Sequence, residues 1–216
     1  MKELGDGIFQ LESTGRTVNI FLVQAGVTVL VDTGTERQGP AVVDELRAEG
    51  ASPELVLLTH ADFDHSGGAE AIRRATGATV CAPAAERPLL AGAARRRLLI
   101  RVLIRGVNRG RAPHRPGIDR WLDAGEVVAG LEAIATPGHT PGHTAYRLGT
   151  TLLAGDAVIT GPSFREPVAR FCVDPAEARR SIEKLALLDV DLVASGHGRA
   201  STGGKEKLVA LAASWR

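Results

Sequence analysis

The sequence predicts an α/β layered domain, and three observations carry that prediction. Short runs rich in Val, Leu and Ile, typical of buried strands, recur along the 216 residues. Amphipathic segments with helix-start and helix-stop residues lie between many of these runs. Side chains that bind metal ions follow the ends of several predicted strands, an arrangement that suits strands and helices layered around a core. With 44% hydrophobic residues, the chain can bury a large core.

The first half of the chain begins with antiparallel strands, predicted for GIFQLE and for VNIFLVQAGVTVLVDTG, where QAG supplies a turn. A helix is predicted for GPAVVDELRAEG, ending at Gly50. The order continues with strand LVLL, helix GAEAIRRATG and strand ATVCAP. The region from Pro88 to Gly110 is predicted to be helical.

The second half begins with successive strands, predicted for EVVAGLEAIA, TAYRLG and TLLAGD. A helix is predicted for DPAEARRSIEKLALL, because Asp174 can cap it and Pro175 suits its first position. A final helix is predicted from about Gly204 to Ser214. No internal repeat or low-complexity linker interrupts this order, so we expect a single domain over residues 1–216.

Composition excludes several classes of protein. The start, MKELGDGIFQLESTG, lacks the apolar run of a signal peptide, and no segment approaches the roughly 18 apolar residues of a membrane span. We therefore expect a cytoplasmic protein. Cys81 and Cys172 follow no metal or redox spacing, and we expect them to be small apolar side chains without a disulfide.

The segment THADFDHSGGAE concentrates charge directly after the strand LVLL. It places His60, Asp62, Asp64 and His65 within six positions. Carboxylates this close repel one another and are costly to bury, and a cation would remove that cost. The alternative is a polar loop in which Asp64 or Ser66 caps a short helix. The combination of four ligand-type residues favours a metal site.

Histidine is scarce, and its distribution supports the same interpretation. Of the six histidines, His139 and His143 lie in TPGHTPGHTAY and His197 lies in ASGHGRA, each segment following a strand-like run. The run TLLAGDAVI ends in the same way, with Asp156 after a glycine. His114 lies in a basic stretch, and we expect it to be solvated.

The ordered set of motifs THADFDHSGG, TPGHT, LLAGDAV and SGHG, with VLVDTG upstream, resembles the metallo-β-lactamase superfamily over about residues 7–200. The resemblance implies a four-layer αβ/βα sandwich with two metal ions between the edges of its sheets. It implies these ligands: His60, Asp62 and His139 for one ion, Asp64, His65 and His197 for the other, and Asp156 as a bridge.

One residue departs from the family pattern, because the family usually has histidine where this chain has Asp62. A carboxylate oxygen can replace an imidazole nitrogen as a ligand. The charge changes, however, since two divalent cations, three carboxylates and a bridging hydroxide sum to zero, whereas histidine at this position would leave one positive charge. We therefore expect a weaker Lewis acid than in the usual family site.

The chemistry that follows is hydrolysis. Two divalent ions roughly 3.5–4 Å apart can share a hydroxide that attacks an ester, lactone, thioester or phosphoester. Zinc is the expected metal, and iron or manganese also suits the oxygen-rich ligand set. The resemblance allows Asp64 to pass a proton to the leaving group as well. Two alternatives stay open: a non-haem di-iron redox enzyme, although a flavin-binding donor domain does not fit in this length, and a non-catalytic binding protein.

Three residues near these motifs have two interpretations each. Asp32 in VLVDTG either hydrogen-bonds a ligand histidine or ends a hairpin, and the resemblance favours the first. His143 either supports the ligands from behind or is an incidental turn residue. Tyr146 packs in a strand or orients substrate, and packing is expected.

Residues 87–118 hold nine arginines and no acid, so the remaining chain has a net charge of −8 within the total of +1. Arg97, Arg101 and Arg105 recur every four residues and share one face of a helix. We expect a basic, lid-like helical insertion. It either covers the core, grips an anionic small-molecule substrate, or rests on anionic lipid as a peripheral contact. Nucleic acid is not expected, because aromatic partners are almost absent. The oligomeric state stays open.

Overall fold

The structure is a computed structural model that describes residues 1–15, 17–93 and 115–215. The strands in these ranges are β1 (Lys2–Gly5), β2 (Ile8–Gln10), β3 (Phe21–Ala25), β4 (Val27–Val31), β5 (Leu55–Leu57), β6 (Thr79–Pro83), β7 (Arg120–Leu122), β8 (Val127–Val128), β9 (Leu131–Ala135), β10 (Thr144–Leu148), β11 (Thr151–Gly155) and β12 (Leu192–Ser195). The helices are α1 (Gly39–Ala48), α2 (Phe63–Ser66), α3 (Ala69–Thr76), α4 (Arg87–Leu90), α5 (Pro175–Leu185) and α6 (Gly204–Ala213).

The strands form two sheets. The seven-stranded sheet has the order β1 to β7, antiparallel through β4 and parallel from β4 to β7. The five-stranded sheet has the order β12-β11-β10-β9-β8, in which only the β11–β12 pair is parallel. In the smaller sheet β9, β11 and β12 run in the same direction, so the loops that follow them lie at one edge of that sheet.

Three apolar cores separate four layers. Alternate residues of one strand point to opposite faces, and Leu22 accordingly packs with the core under α1 and α3, whereas Val23 packs in the core between the two sheets. In the smaller sheet Leu153 faces that central core and Leu152 faces α5 and α6. The layers are therefore helices, sheet, sheet and helices, which confirms the predicted αβ/βα sandwich.

Local sequence signals explain several element ends. The Asp174 carboxylate accepts hydrogen bonds from the backbone N–H groups of Ala176 and Glu177, so it caps α5 as predicted. Helix α3 ends at Gly77, which has a left-handed φ of 77°. The segment EVVAGLEAIA is a hairpin and not the one continuous strand that was predicted. Its turn lies at Ala129 and Gly130, with φ values of 49° and 80°, and separates β8 from β9.

The arginine-rich segment is described only at its two ends. Helix α4 opens it, and residues 94–114, which include Arg97, Arg101, Arg105 and His114, lie outside the described residues. Among the residues that are described, none of the helices has the length and apolar character needed to cross a membrane. The cytoplasmic location stays a prediction.

Candidate metal centre

The turn after β5 carries the first four predicted ligands. His60 and Asp62 lie on its extended part, and α2 then carries Asp64 and His65. Asp62, and neither Asp64 nor Ser66, occupies the position that caps α2, but its side chain makes no capping hydrogen bond. The Asp62 carboxylate is thus not used to cap α2 and can serve as a ligand.

The Gly-Gly pair after this motif allows α2 to lie against the loop that follows β4. A Cβ atom at Gly68 would lie 2.2 Å from the Thr33 carbonyl oxygen, and one at Gly67 would lie 2.6 Å from the Glu36 nitrogen. The close approach lets the backbone N–H and the hydroxyl of Thr33 donate to the His65 carbonyl at 2.8 and 2.7 Å. The backbone of His65 is thereby fixed.

The remaining predicted ligands come from three other strand ends. His139 follows β9, Asp156 follows β11 and His197 follows β12. The structure brings all seven predicted side chains together in three overlapping groups, and within each group the potential ligand atoms lie within 4.8 Å of one another. We name His60, Asp62 and His139 the first subsite and Asp64, His65 and His197 the second subsite.

Asp156 lies between the two subsites. Its Oδ2 atom is 3.5 Å from His139 Nε2 in the first subsite and 3.5 Å from His197 Nε2 in the second. Its Oδ1 atom is 3.4 Å from His65 Nε2. One carboxylate therefore reaches both halves of the centre, which is the geometry of a bridging ligand.

Each subsite also has a carboxylate of its own. Asp62 Oδ2 lies 3.2 Å from His139 Nε2, and Asp64 Oδ2 lies 3.5 Å from His197 Nε2. Each subsite thus offers two imidazoles and one carboxylate, and Asp156 can add a second oxygen to both. This donor set suits zinc as well as iron or manganese.

Three buried atoms at the middle of the centre show that the residues fit a cation. His60 Nε2, His65 Nε2 and Asp156 Oδ1 are buried without a hydrogen-bond partner within the described residues. The other ring nitrogens are occupied, because His60 Nδ1 lies 2.9 Å from Thr59 Oγ1 and His65 Nδ1 lies 2.8 Å from Asp32 Oδ2. Buried polar atoms of this kind are rare, and cations in the two subsites would satisfy all three.

Asp32 is linked by hydrogen bonds to predicted ligands of both subsites, which confirms the first of its two predicted roles, a contact with a ligand histidine. It is 2% exposed and accepts hydrogen bonds from the backbone N–H of Thr59 at 2.8 Å and from the Thr59 hydroxyl at 2.8 Å. Its contact with His65 is direct, and its contact with His60 runs through Thr59. The sequence did not single out Thr59, whose only signal is its place immediately before a ligand.

His143 supports Asp156, the predicted bridging residue. Its ring is fully buried, Nε2 accepts a hydrogen bond from the Asp156 backbone N–H at 2.8 Å, and Nδ1 lies 2.7 Å from Thr136 Oγ1. A Cβ atom at Gly155 would lie 2.7 Å from that Nε2, so glycine is needed there. His143 is therefore a supporting residue and not an incidental one.

Two further side chains complete the surroundings. The Asn19 amide donates to the carbonyl oxygens of Ser195 and Gly198 at 2.8 and 2.9 Å and fastens the turn that carries His197, a role that the sequence did not reveal. Tyr146 packs in the central core, with its hydroxyl donating to a backbone carbonyl, as expected.

The environment of the two cysteines matches the sequence-based expectation. Cys81 and Cys172 are both buried and free. Cys172 packs close to the first subsite, with Sγ 4.0 Å from His139 Nδ1.

Imidazoles and carboxylates lie next to one another in the cluster, and each shifts the pKa of its neighbours. Burial acts to lower the pKa of His65, but Asp156, Asp32 and Asp64 outweigh it and raise the pKa to about 9. For the same reason neighbouring carboxylates raise the pKa of His139 to about 10 and of His197 to about 11 against the effect of burial.

The pKa values of His60 and Asp156 shift in the opposite direction. Burial, together with the charge of His65, holds the pKa of His60 well below its usual range. Burial acts to raise the pKa of Asp156, but His65, His139 and His197 outweigh it and hold the pKa well below its usual range. The Asp156 carboxylate is thus ionised and surrounded by protonated imidazoles. A divalent ion can bind to these side chains by displacing the imidazole protons.

A helix–sheet–sheet–helix sandwich with histidines and aspartates gathered at strand ends defines an α/β protein with a candidate metal centre. The chain belongs to the metallo-beta-lactamase superfamily, whose family model matches residues 13–197.

The chain is 29% identical to the probable metallo-hydrolase YflN of Bacillus subtilis, over 88% of this chain and 84% of that protein. It is 31% identical to a hydroxyacylglutathione hydrolase of Methylobacillus flagellatus, over 82% of this chain and only 60% of that protein. Its structure is similar to TTHA1623 in a di-iron-bound form, with a TM-score of 0.73 and 28% identity over 92% of this chain and 96% of that chain. The comparisons confirm the predicted family, the fold class and the enzyme class of metallo-hydrolase; the ligand roles stay predictions.

Proposed function

We propose that the protein is a hydrolase that uses two divalent metal ions to cleave an acyl bond, with a thioester as the first candidate substrate. The observation that carries the proposal is the set of three ligand groups that overlap through His60 and His65, with Asp156 in the middle group. Three of their buried ligand atoms lack hydrogen-bond partners within the described residues. The similarity to a hydroxyacylglutathione hydrolase supports a thioester over a phosphoester, because an acyl group on glutathione is carried as a thioester.

The residues divide the work between the subsites. His60, Asp62 and His139 would hold one ion, Asp64, His65 and His197 the other, and Asp156 both. Two ions held in this way supply a Lewis acid for the carbonyl oxygen and a nucleophilic hydroxide at neutral pH. Asp32 and His143 hold the ligands in place through the hydrogen bonds described above.

Asp64 has a second proposed role, the transfer of a proton to the leaving group. Its side chain is 26% exposed, more than the 14% of Asp62 and the 13% of Asp156. It is therefore the carboxylate of the centre that a leaving group can most readily approach. A carboxylate placed beside the departing atom can act as a general acid.

We propose zinc as the resident metal, with iron and manganese as the alternatives that the balanced nitrogen and oxygen donors also suit. A second candidate function, a non-haem di-iron redox enzyme, is favoured by this carboxylate-rich set and by the di-iron-bound form of TTHA1623. Both functions use the same residues, so the metal alone does not separate them.

The substrate is proposed to be an anionic small molecule. This part of the proposal rests on sequence, because nine arginines lie within residues 87–118 of a chain with a net charge of only +1. At the described beginning of that segment, the Arg87 guanidinium lies 4.7 Å from the centre of the Trp121 ring. A peripheral contact with anionic lipid is the competing proposal for the same arginines.

The deciding experiment measures the metal content of the purified full chain and then tests lactone, thioester, phosphodiester and β-lactam substrates. Two ions per chain and thioester hydrolysis that is lost in Asp156→Ala support the proposal. Two ions with no hydrolysis, together with oxygen consumption when a reductant is added, support the redox enzyme instead. Full hydrolytic activity in metal-free protein overturns both.

A further inference from the structure

We propose that Glu86 is a positioning residue that sets the spacing of the first subsite. It lies in a 3₁₀ turn, Ala84–Glu86, that follows β6, and it is fully buried. Its Oε2 atom accepts a hydrogen bond from the Ala61 backbone N–H at 2.8 Å, and its Oε1 atom accepts one from the Gly142 backbone N–H at 2.7 Å. The inference rests on the proposed function, since the subsite must hold an ion for its spacing to matter.

The two donors belong to the two turns that build the first subsite. Ala61 lies between His60 and Asp62 in the turn after β5. Gly142 lies three residues after His139 in the turn between β9 and β10. One carboxylate therefore fastens both turns at once, with one oxygen for each. Among the described residues, Glu86 makes no hydrogen bond to α2 or to the turn that carries His197. Its direct influence is confined to the first subsite.

Close packing leaves the two turns little freedom to adjust. A Cβ atom at Gly142 would lie 2.5 Å from the carbonyl carbon of Ala85 and 2.5 Å from the Glu86 nitrogen. The turn that carries His139 thus rests directly on the backbone of the 3₁₀ turn. The distance between the two turns is set by this contact together with the two hydrogen bonds.

The geometry requires a carboxylate and not merely a polar side chain. Both partners are N–H donors, and a carboxylate offers two acceptor oxygens, whereas an amide offers only one. Burial raises the pKa of Glu86, and the Thr140 side chain together with the backbone N–H groups of Gly142 and Ala61 opposes that effect. Within the described residues the carboxylate accepts hydrogen bonds from these two N–H groups, and the Thr140 side chain also interacts with it.

The experiment compares Glu86→Gln with the parent in the full chain loaded with Zn²⁺ alone. The two ions are removed stepwise with a chelator, and Co²⁺ replaces Zn²⁺ in a parallel experiment for absorption spectroscopy. The glutamine side chain has nearly the same shape as glutamate but only one acceptor oxygen, so the backbone N–H of one of the two turns loses its acceptor. We expect one ion to bind about 10- to 100-fold more weakly, as for other residues behind metal ligands, and the other ion to be unaffected.

Single-subsite backgrounds show which ion is affected. In His197→Ala, where the first subsite keeps all its ligands, adding Glu86→Gln should weaken the retained ion. In His139→Ala, where the second subsite keeps all its ligands, adding Glu86→Gln should change nothing. Equal weakening in both backgrounds, or none in either, overturns the inference.

Glu45→Gln is the matched control. Glu45, in α1, also accepts hydrogen bonds from two backbone N–H groups, those of Glu12 at 2.9 Å and Ser13 at 2.8 Å, which belong to a loop outside the centre. It should change thermal stability and leave both ions in place. A general loss of stability that released metal would appear in both variants.

A second variant keeps the test decisive if Glu86→Gln does not fold. Glu86→Asp retains the charge, but its shorter side chain cannot reach both turns, so the same selective weakening is expected. If the parent itself binds no metal ion, the proposed function fails together with this inference. If the parent binds two ions and Glu86→Gln or Glu86→Asp binds both as tightly, only this inference fails.

Discussion

The two subsites offer the same donor types but differ in how far they open to solvent. In the first subsite the side chains of Asp62 and His139 are 14% and 6% exposed. In the second, those of Asp64 and His197 are 26% and 34% exposed. The first subsite is thus the closed half of the centre, and the second is the half that a substrate can reach.

The fold also holds the two halves by different means. The first subsite depends on the spacing of two turns, which the buried carboxylate of Glu86 fastens through their backbones. In the second, Asp32 contacts the ring of the ligand His65 directly, whereas it reaches the first subsite only through Thr59. Asn19 fastens the backbone of the turn that carries His197. We infer that the first subsite anchors an ion and that the second places the groups that react.

The largest effect is expected from the residue that the subsites share. Because Asp156 contacts ligands of both halves, Asp156→Ala should lower the occupancy of both ions and abolish hydrolysis. Metal analysis and the substrate panel measure these losses. Asp189→Ala, a change at a carboxylate that is 88% exposed, is the control and should retain both properties. Loss of only one ion in Asp156→Ala would show that this residue does not bridge.

The second prediction separates the open half from the closed half. Asp64→Asn should slow the hydrolysis of esters and lactones by about 10²- to 10⁴-fold, the usual contribution of a general acid. The hydrolysis of thioesters should be slowed less. A thiol has a pKa of about 8.5, so it can leave as the thiolate without first receiving a proton. Asp62→Asn should lack this selectivity. Equal slowing of all substrates by Asp64→Asn would leave Asp64 as a ligand only.

Metal loading should show the same asymmetry through proton release. In the metal-free second subsite, neighbouring carboxylates raise the pKa of His65 to about 9 and of His197 to about 11, whereas in the first subsite only His139 has a raised pKa, about 10. Imidazole must be neutral to bind a metal ion. Between pH 7 and pH 8 the second subsite should therefore release about two protons and gain about 100-fold in affinity, and the first about one proton and tenfold.

Calorimetry of Zn²⁺ binding in buffers of different ionisation enthalpy counts those protons. The sign is fixed, because raised pKa values mean that a higher pH favours metal binding until each imidazole has lost its proton. His197→Ala should reduce the total by about one. Affinities that do not change with pH in either subsite would contradict the assignment of these histidines as ligands.

A smaller effect is expected from restoring the family's usual residue in the closed half. Asp62→His should keep metal binding while adding one positive charge to the centre, so the attacking water should ionise at lower pH. The alkaline rise of the pH–rate profile should move down by about one unit. The measurement is kcat against pH for one substrate. An unchanged profile with unchanged metal content would mean that Asp62 is not a ligand.

The sequence was sufficient for the candidate ligands because they are scarce residue types placed after strand-like runs. Their supporting residues could not be found in the same way. Glu86 and Gly142 are 56 residues apart, and Asn19 and Ser195 are 176 apart, so these pairs exist only once the chain has folded. Thr59 and Glu86 carry no local signature that distinguishes them from ordinary turn residues.

The fold prediction failed where a turn lacked its usual residues. The β8–β9 hairpin has Ala129 at a φ of 49°, a conformation that alanine seldom adopts, so VAG gave no strong turn signal inside EVVAGLEAIA. The edge strands β1 and β7 were also missed, because their sequences KELG and RWL contain no apolar run or alternation, whereas the equally short β5 lies in the apolar run LVLL. Long amphipathic segments such as α5 were recognised, and its Asp174 cap was predicted correctly.

The smallest effect on the centre itself is expected from the arginine-rich segment. If these arginines form a lid or a lipid-facing surface, as the sequence predicts, charge reversal at Arg97, Arg101 and Arg105 together should leave both ions bound and thermal stability nearly unchanged, since exposed charges contribute little to folding. The loss should fall on KM for anionic substrates, with kcat retained, and it should shrink at high salt because screening already weakens such contacts. Neutral lactones should be hydrolysed as by the parent. Weaker binding to anionic vesicles with an unchanged KM would assign the arginines to a lipid surface. If neither vesicle binding nor KM changes, the arginines do not contribute to the choice of substrate.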